Sequence, residues 1–216
     1  MPSPLVIYHG QKAVMPPQYF GSTGYYAVLA AYPEVYIDCG MRADKRFKTA
    51  HRCQIADTRG LLTLTMPVSH PHGPHSWAET AVSTHGHWPA VHLTALESAY
   101  GRTPFFEFYI DRLRPLFEAG QFEDPGRNVA EHDLRCDEAV RRILGLDNNV
   151  SPTTDAESLI NDGARDFRRH DFTAIEIPQY YQVRADRLGF YPGLSILDLI
   201  FNLGPEAPLY LQKAGL

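Results

Sequence analysis

The sequence predicts a single α/β domain, built on a mixed, largely parallel sheet flanked by helices. Three observations support this prediction. The first third reads as strand, glycine-containing turn, helix and strand; the middle carries apolar residues at helical spacing; and no linker or internal repeat divides residues 1–216. The hydrophobic fraction of 44% and the charged fraction of 21% are typical of a globular chain.

The opening of the chain predicts a βαβ unit. Residues 5–8 form a short apolar strand, the turn-rich PPQYFGSTG of residues 16–24 leads into a helix over 25–31, and residues 35–38 form a second strand. Because a helical crossover joins parallel strands, we expect the two strands to be parallel. In residues 61–68, threonines alternate with larger apolar side chains, which predicts a strand with one buried face.

The middle of the chain predicts three helices that form the helical layer. Pro89 suits the first position of one helix. Thr103 begins a second, which Pro115 kinks or ends, and Asp133 caps a third that stops before Gly145.

The last third combines a weak pattern with one clear helix. Polar and glycine residues interrupt the periodicity over 147–173, whereas residues 180–183 predict a strand. Ser195 and Asp198 form a capping-box pattern, and the apolar residues after them predict a helix that Gly204 and the following proline stop.

Charge and cysteine content exclude several classes of protein. The formal net charge of -5 provides no positive field for nucleic acid. No apolar stretch approaches the length needed to span a bilayer, so we expect no membrane insertion. The three cysteines lie far apart in the sequence, which favours a reducing compartment and a cytoplasmic protein.

Several segments, taken in order, resemble the WbqC-like protein family. These are PPQYFGSTGYY (residues 16–26), EVYID (34–38), KRFKTAHRCQI (45–55), LTMPV (64–68), HGHWPAVHLTALESAYGRTPFFEFY (85–109), PQYYQV (178–183) and LSILDLIFNLGPEA (194–207). The C-terminal run is the best preserved, and the spacing of the residues from Trp88 to Phe105 is also specific. In the basic segment, Arg52 matches the family pattern, whereas residues 49–51 depart from it.

What this resemblance implies is a role rather than a mechanism. The family is associated with gene clusters for O-antigen and other cell-surface polysaccharides. The resemblance therefore implies a cytosolic role in making or modifying an activated sugar or a related small molecule. It transfers no catalytic residue and names no cofactor.

Two segments are candidates for binding an anion. The turn of Gly21, Ser22, Thr23 and Gly24 opens a helix, where backbone N–H groups attract phosphate, although a plain capped turn has the same sequence. The basic segment contains several cations, which either grip an anion or remain on a solvated loop. Its members are Lys45, Arg46, Lys48, His51 and Arg52. If turn and segment converge, they would clamp a nucleotide or sugar phosphate.

Four further residues are candidates for catalysis or ligand contact. His92 and Asp38 are the candidate acid/base groups, although His92 lies on the apolar stripe of its helix and also suits a buried core histidine. Asp198 and Asn202 lie four residues apart, so they share a helix face, where they either reach a ligand or cap and pair. The histidines of SHPHGPH, residues 69–75, do not follow a recognised metal spacing, and we predict no metal site.

These features favour a transferase-type enzyme that acts on an activated sugar or acyl intermediate in cell-surface polysaccharide biosynthesis. Its partner would be a small anionic molecule, such as a nucleotide, a sugar phosphate or an acyl donor. Two alternatives stay open. One is a nucleotidyltransferase-like enzyme, and the other is a non-catalytic scaffold or binding module of a polysaccharide assembly pathway, with an interface formed by Phe105, Phe106, Phe108 and Tyr109. The sequence leaves the cofactor and a homo-oligomeric state open.

Overall fold

The computed structural model of the chain describes residues 11–44, 46–69, 71–122 and 127–215. The strands are β1 (Lys12–Met15), β2 (Glu34–Asp38), β3 (Arg52–Asp57), β4 (Gly60–Thr65), β5 (Val68–Ser69), β6 (Ala81–Val82), β7 (Asn149–Thr153) and β8 (Arg165–Asp166). The α-helices are α1 (Thr23–Ala31), α2 (Trp88–Tyr100), α3 (Phe106–Leu113), α4 (Val129–Leu144), α5 (Ala156–Asn161), α6 (Ala185–Leu188), α7 (Ile196–Leu203) and α8 (Ala207–Leu211). The predicted α/β fold is confirmed.

A four-stranded parallel sheet in the order β7-β2-β1-β8 positions the rest of the fold. Ala13, Val14 and Met15 of β1 are fully buried, as a central strand covered on both faces requires. Because β8 lies on the opposite side of β1 from β2, the direction of winding reverses beside β1. In open α/β sheets, ligands bind near such a reversal, at the carboxyl ends of the strands.

The predicted βαβ unit is formed by β1, α1 and β2. Its first strand is β1 rather than residues 5–8, which lie outside the described residues. Ser22 caps α1, since its hydroxyl accepts a hydrogen bond from the N–H of Tyr25. Nearly every residue of α1 is buried, because the helix also contacts α7, α8 and the short turn Phe172–Ala174.

Two antiparallel hairpins lie outside the parallel sheet. β3 pairs with β4, and β5 pairs with β6. The strand predicted over residues 61–68 is therefore divided between β4 and β5. Its alternation is as predicted, since Leu64 and Met66 are buried while Thr63 and Thr65 are exposed.

The prediction that Asp133 caps a helix was wrong. α4 begins at Val129, and its N-cap is Asn128, whose side chain accepts a hydrogen bond from the N–H of Glu131. Asp133 consequently lies inside the helix and is buried. The predicted end is confirmed, because Gly145 follows α4 with a left-handed φ of 64°.

The strand predicted over residues 180–183 was also wrong. Their backbone pairs with a side chain of α7 instead of a strand, because Oδ1 of Asn202 accepts a hydrogen bond from the N–H of Val183 at 3.0 Å. Ser195 caps α7 as predicted. Within the described residues, no helix is long and apolar enough to cross a membrane.

Candidate functional site

A first cavity of about 270 Å³ lies between the loop after β1, the start of β3 and the residues before α7. We call it the cationic pocket. Its lining includes Gly21, Ser22, Lys48, Arg52 and Ser195. Gly21 and Ser22 of the glycine turn therefore line the same cavity as Arg52 of the basic segment.

Arg52 carries an unneutralised charge in the cationic pocket. Its side chain is half-buried, and its Nε is buried without a hydrogen-bond partner. None of the described lining residues is acidic, and neither Arg52 nor Lys48 forms an ion pair with any residue that the structure describes. An anion that enters this cavity would meet two cations and no competing carboxylate.

The loop that forms one wall of the cationic pocket is held by α7. The hydroxyl of Ser195 donates a hydrogen bond to the carbonyl of Phe20 at 2.8 Å, and the N–H of Ile196 donates to the carbonyl of Gly21 at 2.8 Å. Phe20 has a φ of 42°, which is unusual for a residue with a Cβ. A Cβ on Gly21 would lie 2.7 Å from the ring of Tyr25. The wall is thus closely packed and strained.

The second half of the predicted turn has a packing role. The N–H of Thr23 donates to the carbonyl of Leu194 at 2.9 Å, so it is not available to a ligand. A Cβ on Gly24 would lie 2.1 Å from the carbonyl oxygen of Phe172. Thr23 and Gly24 do not line the cationic pocket.

A second cavity of about 380 Å³ lies at the carboxyl ends of β2, β7 and β8. We call it the strand-end pocket. Asp38 and Arg46, which were predicted as site residues, both line it. Asp38 is the last residue of β2, so the parallel sheet itself delivers its carboxylate to this edge.

Ion pairs connect the elements around the strand-end pocket. The guanidinium of Arg168 contacts Asp38 at 3.3 Å, Glu157 at 2.9 Å and Asp166 at 2.9 Å. Arg46 pairs with Asp44 at 2.6 Å. The sequence patterns did not indicate Arg168, which lies in the region without clear periodicity. The signal available there was the adjacent pair Arg168 and Arg169, separated from β8 by Phe167.

The carboxyl group of Asp38 is buried and fully engaged. Burial raises its pKa above the usual range, while the hydrogen bond and the charge of Arg168 and the N–H groups of Gly40 and Met41 act in the opposite direction. Asp38 is therefore held in one position and is chemically distinct from a solvated aspartate.

The two pockets share a wall. Arg46 and Phe47 line the strand-end pocket, whereas the next two residues, Lys48 and Thr49, line the cationic pocket. The basic segment thus runs between the two cavities and contributes a cation to each. Lys45, also part of that prediction, lies outside the described residues.

His92 lies in the core and lines neither pocket. Its Nδ1 hydrogen-bonds to the hydroxyl of Tyr19 at 2.9 Å, and Tyr19 belongs to the lining of the cationic pocket. Burial lowers the pKa of His92 to about 4, against a hydrogen bond with the Thr65 backbone that acts in the opposite direction. The imidazole is consequently neutral at physiological pH.

Asp198, Asn202 and His51 lie outside both pockets. Oδ2 of Asp198 accepts hydrogen bonds from the hydroxyl of Tyr180 at 2.7 Å and from Nε2 of Gln182 at 3.0 Å. Together with Asn202, it fastens residues 180–183 to α7. The Nδ1 atom of His51 lies 3.2 Å from the carbonyl of Met66.

The histidine-rich loop is partly described. His72 is exposed and His75 is half-buried, while His70 lies outside the described residues. Among the side chains that the structure describes, no group of three histidine, cysteine, aspartate or glutamate residues is arranged to hold a metal ion.

Comparison with known proteins identifies a relative that matches most of the chain. A curated relative, "Uncharacterized protein Rv1507c" of Mycobacterium tuberculosis, is 25% identical over 228 residues, which covers 93% of this chain and 96% of the relative. No solved structure matches significantly. The model of the WbqC-like protein family matches residues 17–165. This range contains β2, α5 and the basic segment but ends before the C-terminal run. The chain belongs to the WbqC-like protein family.

Proposed function

We propose that this protein is a transferase-type enzyme of the cytoplasm that acts on an activated sugar or acyl intermediate in cell-surface polysaccharide biosynthesis. The observation that carries the proposal is the state of Arg52, an unpaired and half-buried guanidinium inside a cavity without acidic lining residues. The association of WbqC-like genes with polysaccharide gene clusters supports the choice of substrate class.

The cationic pocket suits the anionic portion of such an intermediate. Removing Arg52 from bulk water costs free energy unless a partner replaces the lost hydration, and a phosphate or carboxylate would supply that partner. At about 270 Å³ the cavity is slightly smaller than usual small-molecule sites. A nucleotide sugar or acyl carrier would therefore place its phosphate there and extend beyond it.

Asp38 and His92 have different roles in the proposed enzyme. Asp38 lines the strand-end pocket, and its raised pKa is the direction that a general acid or base near neutral pH requires. His92 reaches the cationic pocket only through Tyr19, so it acts as a positioning residue for that side chain.

A ligand screen with three variants tests the proposal. Thermal shift and calorimetry would be run with nucleoside diphosphates, nucleotide sugars, sugar phosphates and acyl-coenzyme A. We expect at least one to bind, and Arg52→Ala to weaken it roughly 10- to 100-fold, since a hydrogen bond to a charged group contributes about 1.5–3 kcal/mol. Lys48→Ala should weaken the same ligand to a smaller extent.

Arg59→Ala is the matched control, because Arg59 is an exposed arginine that lines neither pocket. It makes the same change in net charge and should leave binding unchanged. If no compound in the screen binds, or if Arg59→Ala weakens binding as much as Arg52→Ala, the proposal is wrong.

The structure contains an observation that favours the nucleotidyltransferase-like alternative and one that disfavours the scaffold alternative. The winding reversal beside β1 is the arrangement in which open α/β sheets bind nucleotides, which supports the nucleotidyltransferase-like alternative. Nucleoside triphosphates in the same screen would test it. The scaffold alternative requires an exposed aromatic surface. Phe106 and Tyr109 are buried, however, so Phe108, which is 71% exposed, supplies most of the accessible aromatic surface.

A further inference from the structure

We infer that the strand-end pocket is a subsite for an uncharged carbohydrate, separate from the anion subsite in the cationic pocket. This inference rests on the proposed function and extends it to a second substrate. It assigns the polyhydroxylated molecule to the cavity at the carboxyl ends of β2, β7 and β8.

The charge balance of the strand-end pocket argues for an uncharged ligand. Four arginines and four carboxylates line it, so their formal charges cancel. Arg46 is paired with Asp44, and Arg168 is paired with Asp38 and Glu157, whereas Arg42 and Arg169 form no ion pair with any described residue. A ligand of either charge would be attracted by one set of groups and repelled by the other, in contrast to the cationic pocket.

Hydroxyl groups are the ligand chemistry that uses both sets of side chains. A hydroxyl donates to a carboxylate and accepts from a guanidinium, and several hydroxyls on one ring would satisfy neighbouring groups of both kinds. The ion pairs of Arg168 come from β2, α5 and β8, so they hold the acceptors in place before a ligand arrives. Little ordering entropy would then be lost on binding.

Phe47 supplies the apolar surface that a sugar ring needs. It is half-buried in the wall of the strand-end pocket, and apart from Met41 and Ala156 the lining is polar or glycine. An aromatic face packs against the C–H groups of a sugar while the hydroxyls point to the charged groups. The cavity, at about 380 Å³, lies within the usual range for small-molecule sites.

The shared wall explains why two subsites would be useful together. Phe47 and Lys48 are adjacent in sequence but line different cavities, so ligands in the two pockets would lie on either side of one short segment. An enzyme that joins two substrates requires such proximity.

Saturation-transfer NMR on the full chain tests the inference with a panel of neutral sugars: galactose, mannose, rhamnose, N-acetylglucosamine and maltose. At least one should bind. Phe47→Ala and Arg42→Ala should each weaken it roughly tenfold, about the contribution of one hydrogen bond or ring contact. Arg42 is exposed, lines this pocket and forms no ion pair among the described residues, so its replacement preserves the fold.

The outcomes separate this inference from the proposed function. Sugar binding that survives Arg52→Ala but not Arg42→Ala supports it, even if no anionic ligand is found and the proposed function fails. An anionic ligand sensitive to Arg52→Ala, with no sugar bound from the panel, overturns this inference alone. Inorganic phosphate that displaces the sugar, or sugar binding unaffected by both strand-end variants, also overturns it.

Discussion

The hydroxyl of Tyr19 lies 2.9 Å from Nδ1 of His92 and joins the loop after β1 to the middle of α2. Both side chains are buried. Their contact anchors a wall of the cationic pocket to the helical layer, and it explains how a histidine on an apolar helix face can be close to the site without lining it.

His92 should make the protein sensitive to acid. Its pKa in the folded state is about 4, while the unfolded chain titrates near the ordinary 6.5. The unfolded state therefore binds more protons as pH falls from 6.5 to 4, and the free energy of unfolding decreases over this window. His92→Gln can still accept a hydrogen bond from Tyr19. Between pH 6.5 and 4, its free energy of unfolding should decrease by about 3 kcal/mol less than that of the wild type, as measured by urea denaturation.

His132 acts in the same direction, because burial lowers its pKa to about 3. The charge of His92 contributes to this lowering, so a difference between the two proteins reports on His92 together with its coupling to His132. Parallel pH profiles for the wild type and His92→Gln would contradict this assignment.

Asp133 should have the opposite dependence on pH. Both its oxygens are buried without a hydrogen-bond partner, and burial raises its pKa well above the usual range. Above about pH 4 the unfolded state releases a proton that the folded state retains, so the free energy of unfolding falls as pH rises toward the folded pKa. Asp133→Asn should match the wild type near pH 4 and be more stable at pH 8 in chemical denaturation.

Asp137 lies one helical turn from Asp133 on α4, and its charge contributes to the raised pKa of Asp133. Its carboxylate accepts a hydrogen bond from Nε of Arg141 at 2.7 Å, and both side chains are largely buried. Asp137→Asn should therefore destabilise the protein at pH 8, by up to about 3 kcal/mol, since it leaves a buried cation without its partner. A wild type more stable than Asp133→Asn at pH 8 would contradict the prediction for Asp133.

Asp198 should control the local order of residues 180–183. Its carboxylate accepts from both Tyr180 and Gln182. Asp198→Ala leaves these buried donors unpaired and should cost about 2–4 kcal/mol, whereas Tyr180→Phe removes one bond and should cost about 1–2 kcal/mol. Hydrogen exchange should show faster exchange at Val183 in Asp198→Ala. Equal stability of Asp198→Ala and the wild type would show that the contacts are dispensable.

Gly24 should tolerate no side chain. A Cβ there would lie 2.1 Å from the Phe172 carbonyl oxygen, which belongs to the backbone and cannot rotate away. Gly24→Ala should destabilise the protein by about 3 kcal/mol or more in thermal or urea denaturation. Gly120→Ala is the control, because no atom lies within 4 Å of a Cβ at that position. Similar losses in both variants would contradict this explanation.

Local patterns were sufficient for elements whose boundaries are set by adjacent residues. Ser22 and Ser195 cap α1 and α7 within three residues, and Gly145 ends α4. The basic segment was also recognisable, and Arg52 within it lines a cavity. In contrast, β1 was missed because its four residues form a weak local signal and its hydrogen bonds come from β2 and β8.

Three-dimensional packing determined which polar side chains reach a cavity. His92, a candidate acid/base group, and Asp198, a candidate ligand contact, both hydrogen-bond to buried side chains. Arg168 comes from a stretch without periodicity and contacts Asp38 across 130 positions of sequence. Helix caps and periodicity depend on neighbours within a few residues. Burial and charge pairing depend on contacts between distant segments, so they become visible only when those segments are folded together.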